Sequence, residues 1–317
     1  MLSDHAAIIA CAYGGGCPVQ DMVVAARGEH GRVWRLVTAD GALAIKELII
    51  RQVRAGATAD VAYQEAVLAT GLVPMPRPVR TSADEILFEV AGHQVRAYEW
   101  VDLLPVDTTL DPAVMGATLA AVHLVRHTPA RPVHGWYTDP VGALRWTHLL
   151  DDARAAGAPF AEALEAEIPH LLRLETLIEP PMNLQSCHRD LWADNIRPTP
   201  AGGVCVIDWE NCGLADPAHE IPMVLVDFGG GDPRRVGLLY QSYVDAGGPA
   251  RISGYGCFTM VIVQFGHFWE SAVKVFTSPN TTEEGKAHNL DRMAELLDLP
   301  LRVEYLEELL DTVAAVH

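Results

Sequence analysis

At 317 residues the chain is long enough for one large domain or two ordinary ones with ample apolar core. Half of the residues are hydrophobic and a fifth are charged, which excludes a disordered chain. The formal net charge of -18 disfavours nucleic acid and anionic membrane as partners; it suits a cationic substrate and plain acidic solubility equally well.

In chain order, the first hundred residues read mainly as strands and turns. Residues 22–26 and 33–38 alternate as strands, with Gly28-Glu29-His30-Gly31 between them as a hairpin turn that could also cover a nucleotide. Ala39-Asp40-Gly41 is a hairpin signal, and a third strand follows over 42–48 with Lys46 near its end. A helix is expected over 60–70, stopping at Gly71 and carrying Glu65. Pro74, Pro76 and Pro78 enforce an extended connection. Residues 86–98 read as a hairpin turning at Ala91-Gly92-His93.

The composition changes after Asp102. Residues 112–127 have helical periodicity with Asp111 as N-cap. Further helices are expected over 141–156 and 160–178. A short strand region with a loop follows, and then helices over 217–228, 233–246, 258–276, 282–297 and 301–316. The expectation is an α+β, bilobal protein: a β-rich lobe over 1–101, a hinge at about 99–102, and a larger helical lobe over 102–317. Six cysteines without C-x-x-C spacing suggest free thiols in a reducing compartment. The first five residues lack the basic start of a signal peptide, and the most apolar stretch, 257–268, is too short to span a bilayer. A cytoplasmic protein is expected.

The most informative stretch is Cys187-His188-Arg189-Asp190-Leu191-Trp192-Ala193-Asp194-Asn195, followed by Val204-Cys205-Val206-Ile207-Asp208-Trp209-Glu210. A loop Asp, an Asn five positions on, and a second Asp at the end of an apolar strand form the set that phosphoryl transfer from a nucleotide requires. Asp190 is the candidate base, which orients the attacking hydroxyl and takes its proton late. Asn195 and Asp208 offer oxygen donors suited to Mg²⁺. Lys46 can reach the α- and β-phosphates, with Glu65 as its ion-pair partner. His123 and His127 stand four apart; a zinc pair would need a third ligand and a polar cleft, and satisfied structural histidines fit better. Glu210 and Asp216 are candidates for substrate cations, for solvated positions or for helix capping.

Together with Asp216-Pro217-Ala218-His219-Glu220, these residues resemble the aminoglycoside phosphotransferase family of small-molecule kinases, over roughly residues 20–300. The family also resembles choline, homoserine and fructosamine kinases. The resemblance implies a protein-kinase-like bilobal fold, ATP or GTP with magnesium, and transfer of the γ-phosphate to a small-molecule hydroxyl. It makes Asp190 the base, Asn195 and Asp208 the metal ligands, and Lys46 with Glu65 the phosphate-binding pair. It also puts backbone groups of Glu99 and Val101 against the adenine edge. Two departures stand out. Arg189 occupies a position where many aminoglycoside kinases have glycine. Asp208 is followed by Trp-Glu, with no Ala-Pro-Glu downstream, unlike a protein kinase.

For the acceptor, Trp192, Asp194, Glu210 and Glu270 together with the net acidity point to a cationic, aminoglycoside-like antibiotic. A metabolite kinase for an amino sugar, choline-like or homoserine-like acceptor is the second reading. A nucleotide-binding pseudokinase is the third, and the presence of Lys46, Asp190, Asn195 and Asp208 counts against it.

Overall fold

The computed structural model of the chain describes residues 1–15, 18–27, 31–127, 132–298 and 301–316. The N-terminal lobe contains α1 (Ala6–Ala12), β1 (Val19–Arg27), β2 (Gly31–Thr38), β3 (Gly41–Leu48), α2 (Arg54–Thr70), β4 (Pro78–Val79), β5 (Phe88–Val90) and β6 (His93–Glu99). The strands form one antiparallel sheet in the order β1-β2-β3-β6-β4, with β5 also on β6.

Strand alternation gives this sheet two different faces. Trp34, Ile45 and Ala97 are cross-strand neighbours, and with Leu36 and Val95 they form an apolar layer covered by Leu2, Ile9, Ala10 and Tyr13. Lys46 and Arg96, also cross-strand partners, lie on the opposite face beside the Ala44–Tyr98 pair. That face carries the chemistry.

The C-terminal lobe contains α3 (Pro112–Leu124), α4 (Ala143–Ala155), α5 (Ala161–Glu175), β7 (Gln185–Cys187), β8 (Ile196–Pro198), β9 (Val204–Val206), β10 (Gly213–Ala215), α6 (Pro217–Gly229), α7 (Pro233–Asp245), α8 (Thr259–Thr277), α9 (Glu283–Asp298) and α10 (Val303–Ala314). The short strands pair as β7 with β10 and β8 with β9. One large core joins these elements, with Trp146, Trp209 and Trp269 fully buried. Asp111 caps α3 by accepting from the Ala113 N–H at 2.9 Å. Asp216 caps α6 through Ala218 N–H at 2.9 Å, and its other oxygen accepts from Met182 and Asn183 N–H at 2.8 Å each. This fixes the capping role for Asp216. No helix among the described residues is long and apolar enough to cross a membrane.

The fold is α+β and bilobal. Strands β4 and β10 were not expected, α3 ends three residues short of the expected 127, and two helices differ more. Helix α1 was not anticipated, because seven apolar and small residues carry little helical signal of their own. Helix α2 begins at Arg54, six residues before the expected start. The proposed nucleotide-covering turn at Gly28-Glu29-His30 lies outside the described residues.

Candidate active site

Lys46 projects from β3 into the cleft between the lobes. Its ammonium contacts the carboxylates of Asp208 and Glu210, the latter at 3.0 Å. Burial works against the charge, but Glu210 and Asp208 outweigh it and hold Lys46 above the ordinary lysine range. The surrounding protein and the Glu210 charge push Asp208 up to about 7, against the pull of Lys46.

Glu65 is not part of this cluster. Its side chain is 49% exposed on the outer face of α2 and pairs with Arg80 at 3.0 Å. The inward stripe of α2 is Ala57, Asp60, Val61, Gln64 and Val67. Glu65 follows Gln64 by one residue, which rotates it about 100° away from that stripe.

Asp190 sits in the loop between β7 and β8. Asn195 donates its side-chain amide to the Asp190 backbone carbonyl at 2.8 Å and to its carboxylate at 3.0 Å. Asn211 donates to the same carboxylate oxygen at 3.0 Å. Burial raises the Asp190 carboxyl above the usual aspartate range, against His188, the two amides and Lys46. With its amide protons on Asp190, Asn195 retains its Oδ1 for a cation. The Asn195 carbonyl accepts the Ile207 N–H at 2.9 Å, which ties the loop to the segment bearing Asp208. Asn195 and Asp208 thus offer hard oxygen donors on connected segments. A carboxylate raised by burial and by a neighbouring acid is one that a divalent cation would relieve.

The loop itself is braced from below. Arg189 and Asp208 both adopt left-handed backbone, with φ of 68° and 65°. The Arg189 N–H donates to the Glu220 carboxylate, whose other oxygen meets His123 Nε2 at 2.9 Å. His123 Nδ1 contacts the Tyr243 hydroxyl at 3.0 Å. His123 is therefore a satisfied core histidine. The Arg189 guanidinium lies over the Tyr137 ring at 4.2 Å and donates to the carbonyls of Asn211 at 2.7 Å and Cys212 at 3.3 Å. A Cβ at Gly213 would stand 2.6 Å from the guanidinium carbon, so any larger residue there would displace the Arg189 head group.

On the C-lobe side of Asp190, Trp192 donates to Gln264 at 3.1 Å, and Gln264 donates to the Arg189 carbonyl at 2.8 Å. Trp192 leans on Phe268 with ring centres 6.0 Å apart, and Trp136 lies 6.5 Å from Phe268 while stacking on His267 at 4.7 Å. Trp136, Trp192 and Phe268 remain partly exposed, so they form an aromatic wall leading away from the loop. Asp194 is exposed beside it.

Two expected acceptor carboxylates lie elsewhere or are already neutralised. Glu210 is buried under the N-lobe sheet with Lys46, Arg96 and Tyr98. Glu270 is buried on α8 and pairs with Arg145, Lys274 at 2.7 Å and His267 at 3.0 Å. An acid on an apolar helix needs such partners, and they consume its charge. Sequence reasoning missed Asn211, Arg96, Tyr98 and the aromatic partners of Trp192. Only Asn211 carried a signal, its place three residues after Asp208; the others come together with the motifs through folding alone.

The phosphotransferase enzyme family model matches residues 21–255. No curated protein sequence matches the chain. Among solved structures, a spectinomycin phosphotransferase in complex with ADP and spectinomycin aligns with TM-score 0.66 at 13% identity, covering 98% of this chain and 97% of that one. The microcompartment-associated aminopropanol kinase aligns at 0.60 and 15% identity, covering all of both chains. An amicoumacin kinase in complex with AMP-PNP and Ca²⁺ aligns at 0.60 and 12% identity, covering 92% of each. At these identities the likeness to the three structures is one of fold.

Proposed function

The chain belongs to the phosphotransferase enzyme family and is a small-molecule kinase; from that premise we propose that its acceptor is a hydroxyl-bearing amine of low charge. ATP or GTP is the donor and Mg²⁺ the cation, at work in the cytoplasm where both are supplied. The observation that carries the kinase chemistry is the grip of Asn195 and Asn211 on Asp190, beside Lys46 and Asp208 in one cleft.

In this reading Asp190 orients the acceptor hydroxyl toward the γ-phosphate and takes its proton late in transfer. Asn195 and Asp208 hold the magnesium, which when bound neutralises charge on the phosphate oxygens. Lys46 contacts the α- and β-phosphates. The N–H of Glu99 is already spent on the Arg77 carbonyl at 2.9 Å, so the adenine or guanine edge would meet the Glu99 carbonyl or the Val101 backbone.

The acceptor proposal departs from a polycation. Of the three carboxylates expected to bind one, Glu210 and Glu270 are spent inside the protein, and Asp194 alone is exposed. An aromatic wall with the exposed Asp194 beside it, and Asp227 on the Ala193 N–H of the same loop, suits a compact amine held by cation–π contact and apolar packing. The similar structures include enzymes named for spectinomycin, amicoumacin and aminopropanol, which span both antibiotic and metabolic acceptors.

An ADP- or GDP-release screen over amino alcohols, amino sugars, aminoglycosides, and neutral and anionic alcohols tests this. An amine should give the fastest release, with an acceptor KM that rises with salt. Trp192→Leu should raise that KM several-fold and leave the nucleotide KM unchanged. A neutral or anionic best acceptor with a salt-independent KM would overturn the acceptor class.

A further inference from the structure

We propose that Glu210 is the positioning residue for Lys46, in place of Glu65 on α2, and that Glu210 is itself held by Arg96 and Tyr98 of β6. The inference rests on the reading of Lys46 as the phosphate-binding lysine.

The register of the sheet explains why an acid is needed at this point. Lys46 and Arg96 are direct cross-strand partners on the cleft face. Two like charges in such a pair repel, and both are buried against the other lobe. Glu210 resolves this by sitting between them. One of its oxygens meets Lys46 at 3.0 Å; the other accepts the Tyr98 hydroxyl at 2.8 Å and lies 3.7 Å from Arg96 Nε. Arg96 is anchored in turn by the Gln52 side chain at 3.1 Å. The Glu210 side chain is 8% exposed and therefore needs these cations as much as they need it.

Helix α2 does not take over this role at Lys46. Its glutamate at position 65 faces Arg80, Gln64 on the inward stripe is neutral, and the charge of its buried Asp60 favours the Arg96 cation, whereas Lys46 is held by Glu210 and Asp208. Lys46 is fixed instead from the turn Asp208-Trp209-Glu210-Asn211. That one turn bears on each part of the site: Asp208 and Glu210 meet Lys46, and Asn211 meets Asp190. Asp208 can turn toward a cation without releasing the lysine, because Glu210 retains it.

A double-mutant cycle on nucleotide affinity tests the assignment, read by calorimetry with ADP or GDP, whichever the wild type binds more tightly, in the presence of Mg²⁺. Glu210→Gln should weaken binding about tenfold or more, as loss of a charge-assisted contact does. Glu65→Gln should stay within about twofold of wild type, as expected for an exposed pair. Lys46→Met should weaken binding, and Glu210→Gln added to Lys46→Met should cost nothing further, because the two residues act as a unit. A purely structural role for Glu210 would give additive losses and would overturn the proposal. If Glu210→Gln fails to fold, Tyr98→Phe removes only one support of Glu210 and should weaken binding in the same direction, again without effect in Lys46→Met. Wild-type affinity in Glu210→Gln, with Lys46→Met impaired, would defeat the Glu210 assignment alone. Wild-type affinity in Lys46→Met would defeat the role of Lys46 as well.

Discussion

Asp190 carries two amide donors on one carboxylate oxygen, and both come from residues at fixed points of the surrounding turns. Such donors hold the carboxylate in one rotamer and leave its other oxygen to meet the acceptor hydroxyl in the proposed reaction. Asn211→Ala should therefore lower kcat about 10- to 100-fold with nucleotide affinity nearly unchanged, a loss of about 1.5–3 kcal/mol in the transition state. Steady-state kinetics with the acceptor found in the screen measure this; an unchanged kcat would mean that Asn195 alone positions Asp190. The grouping of Asp190, Asn195 and Asp208 was legible in the sequence because their spacing is local. The partner of Lys46 was not, because it depends on which face of a distant helix turns inward. Glu65 and Gln64 are neighbours in sequence, yet they face opposite environments. The surroundings of Glu270 were not legible for a similar reason: its three partners, Arg145, Lys274 and His267, come from α4 and from its own helix, and only packing shows that they converge.

At the scale of elements, the catalytic loop rests on α3 and α6 through the chain Tyr243–His123–Glu220–Arg189. Burial opposes the charge on Glu220, but His123, His188 and the Arg189 N–H outweigh it and hold the carboxyl below the usual range. A depressed carboxylate stabilises the fold fully above its unfolded value of about 4.3 and ceases to do so as pH falls through its lower folded value. Glu220→Gln should thus be less stable than wild type at pH 7, by about 3 kcal/mol or more for a broken buried pair. The gap between the two should narrow below about pH 4. Urea midpoints at both pH values check this, and a gap that stays constant with pH would exclude an ionised Glu220. Gly213→Ala should disturb the same loop from the other side, lowering kcat, since the added methyl meets the Arg189 guanidinium. The helices of the C-lobe were legible because their apolar stripes repeat over three or more turns. Helix α1 was not, because its fold comes from packing Ala6, Ile9 and Ala10 on the sheet. The start of α2 was missed because Gly56 breaks the helical pattern in its first turn.

Across the whole molecule, the sheet of one lobe and the loops of the other meet over a single cleft. The tightest helix contact behind that cleft is α3 against α7, where a Cβ on Gly116 would lie 2.2 Å from the Leu239 carbonyl. Both nearest atoms there are backbone, so the helices must part. Gly116→Ala should cost about 1–3 kcal/mol of overpacking, less about 1 kcal/mol regained in helix propensity. The urea midpoint should fall; a rise would mean that the two helices separate freely. The central claim is that this cleft transfers phosphate to a hydroxylated amine. The most direct test is to incubate the protein with Mg²⁺, γ-labelled ATP or GTP and the best acceptor of the release screen, and to follow the label into the acceptor by mass spectrometry. The account predicts one labelled phosphate on an acceptor hydroxyl with wild-type protein. With Asp190→Asn it predicts at least about a thousandfold slower transfer, a loss of about 4 kcal/mol, at near-normal nucleotide affinity. Tight nucleotide binding with no label in any acceptor, or an Asp190→Asn rate within about threefold of wild type, would contradict it.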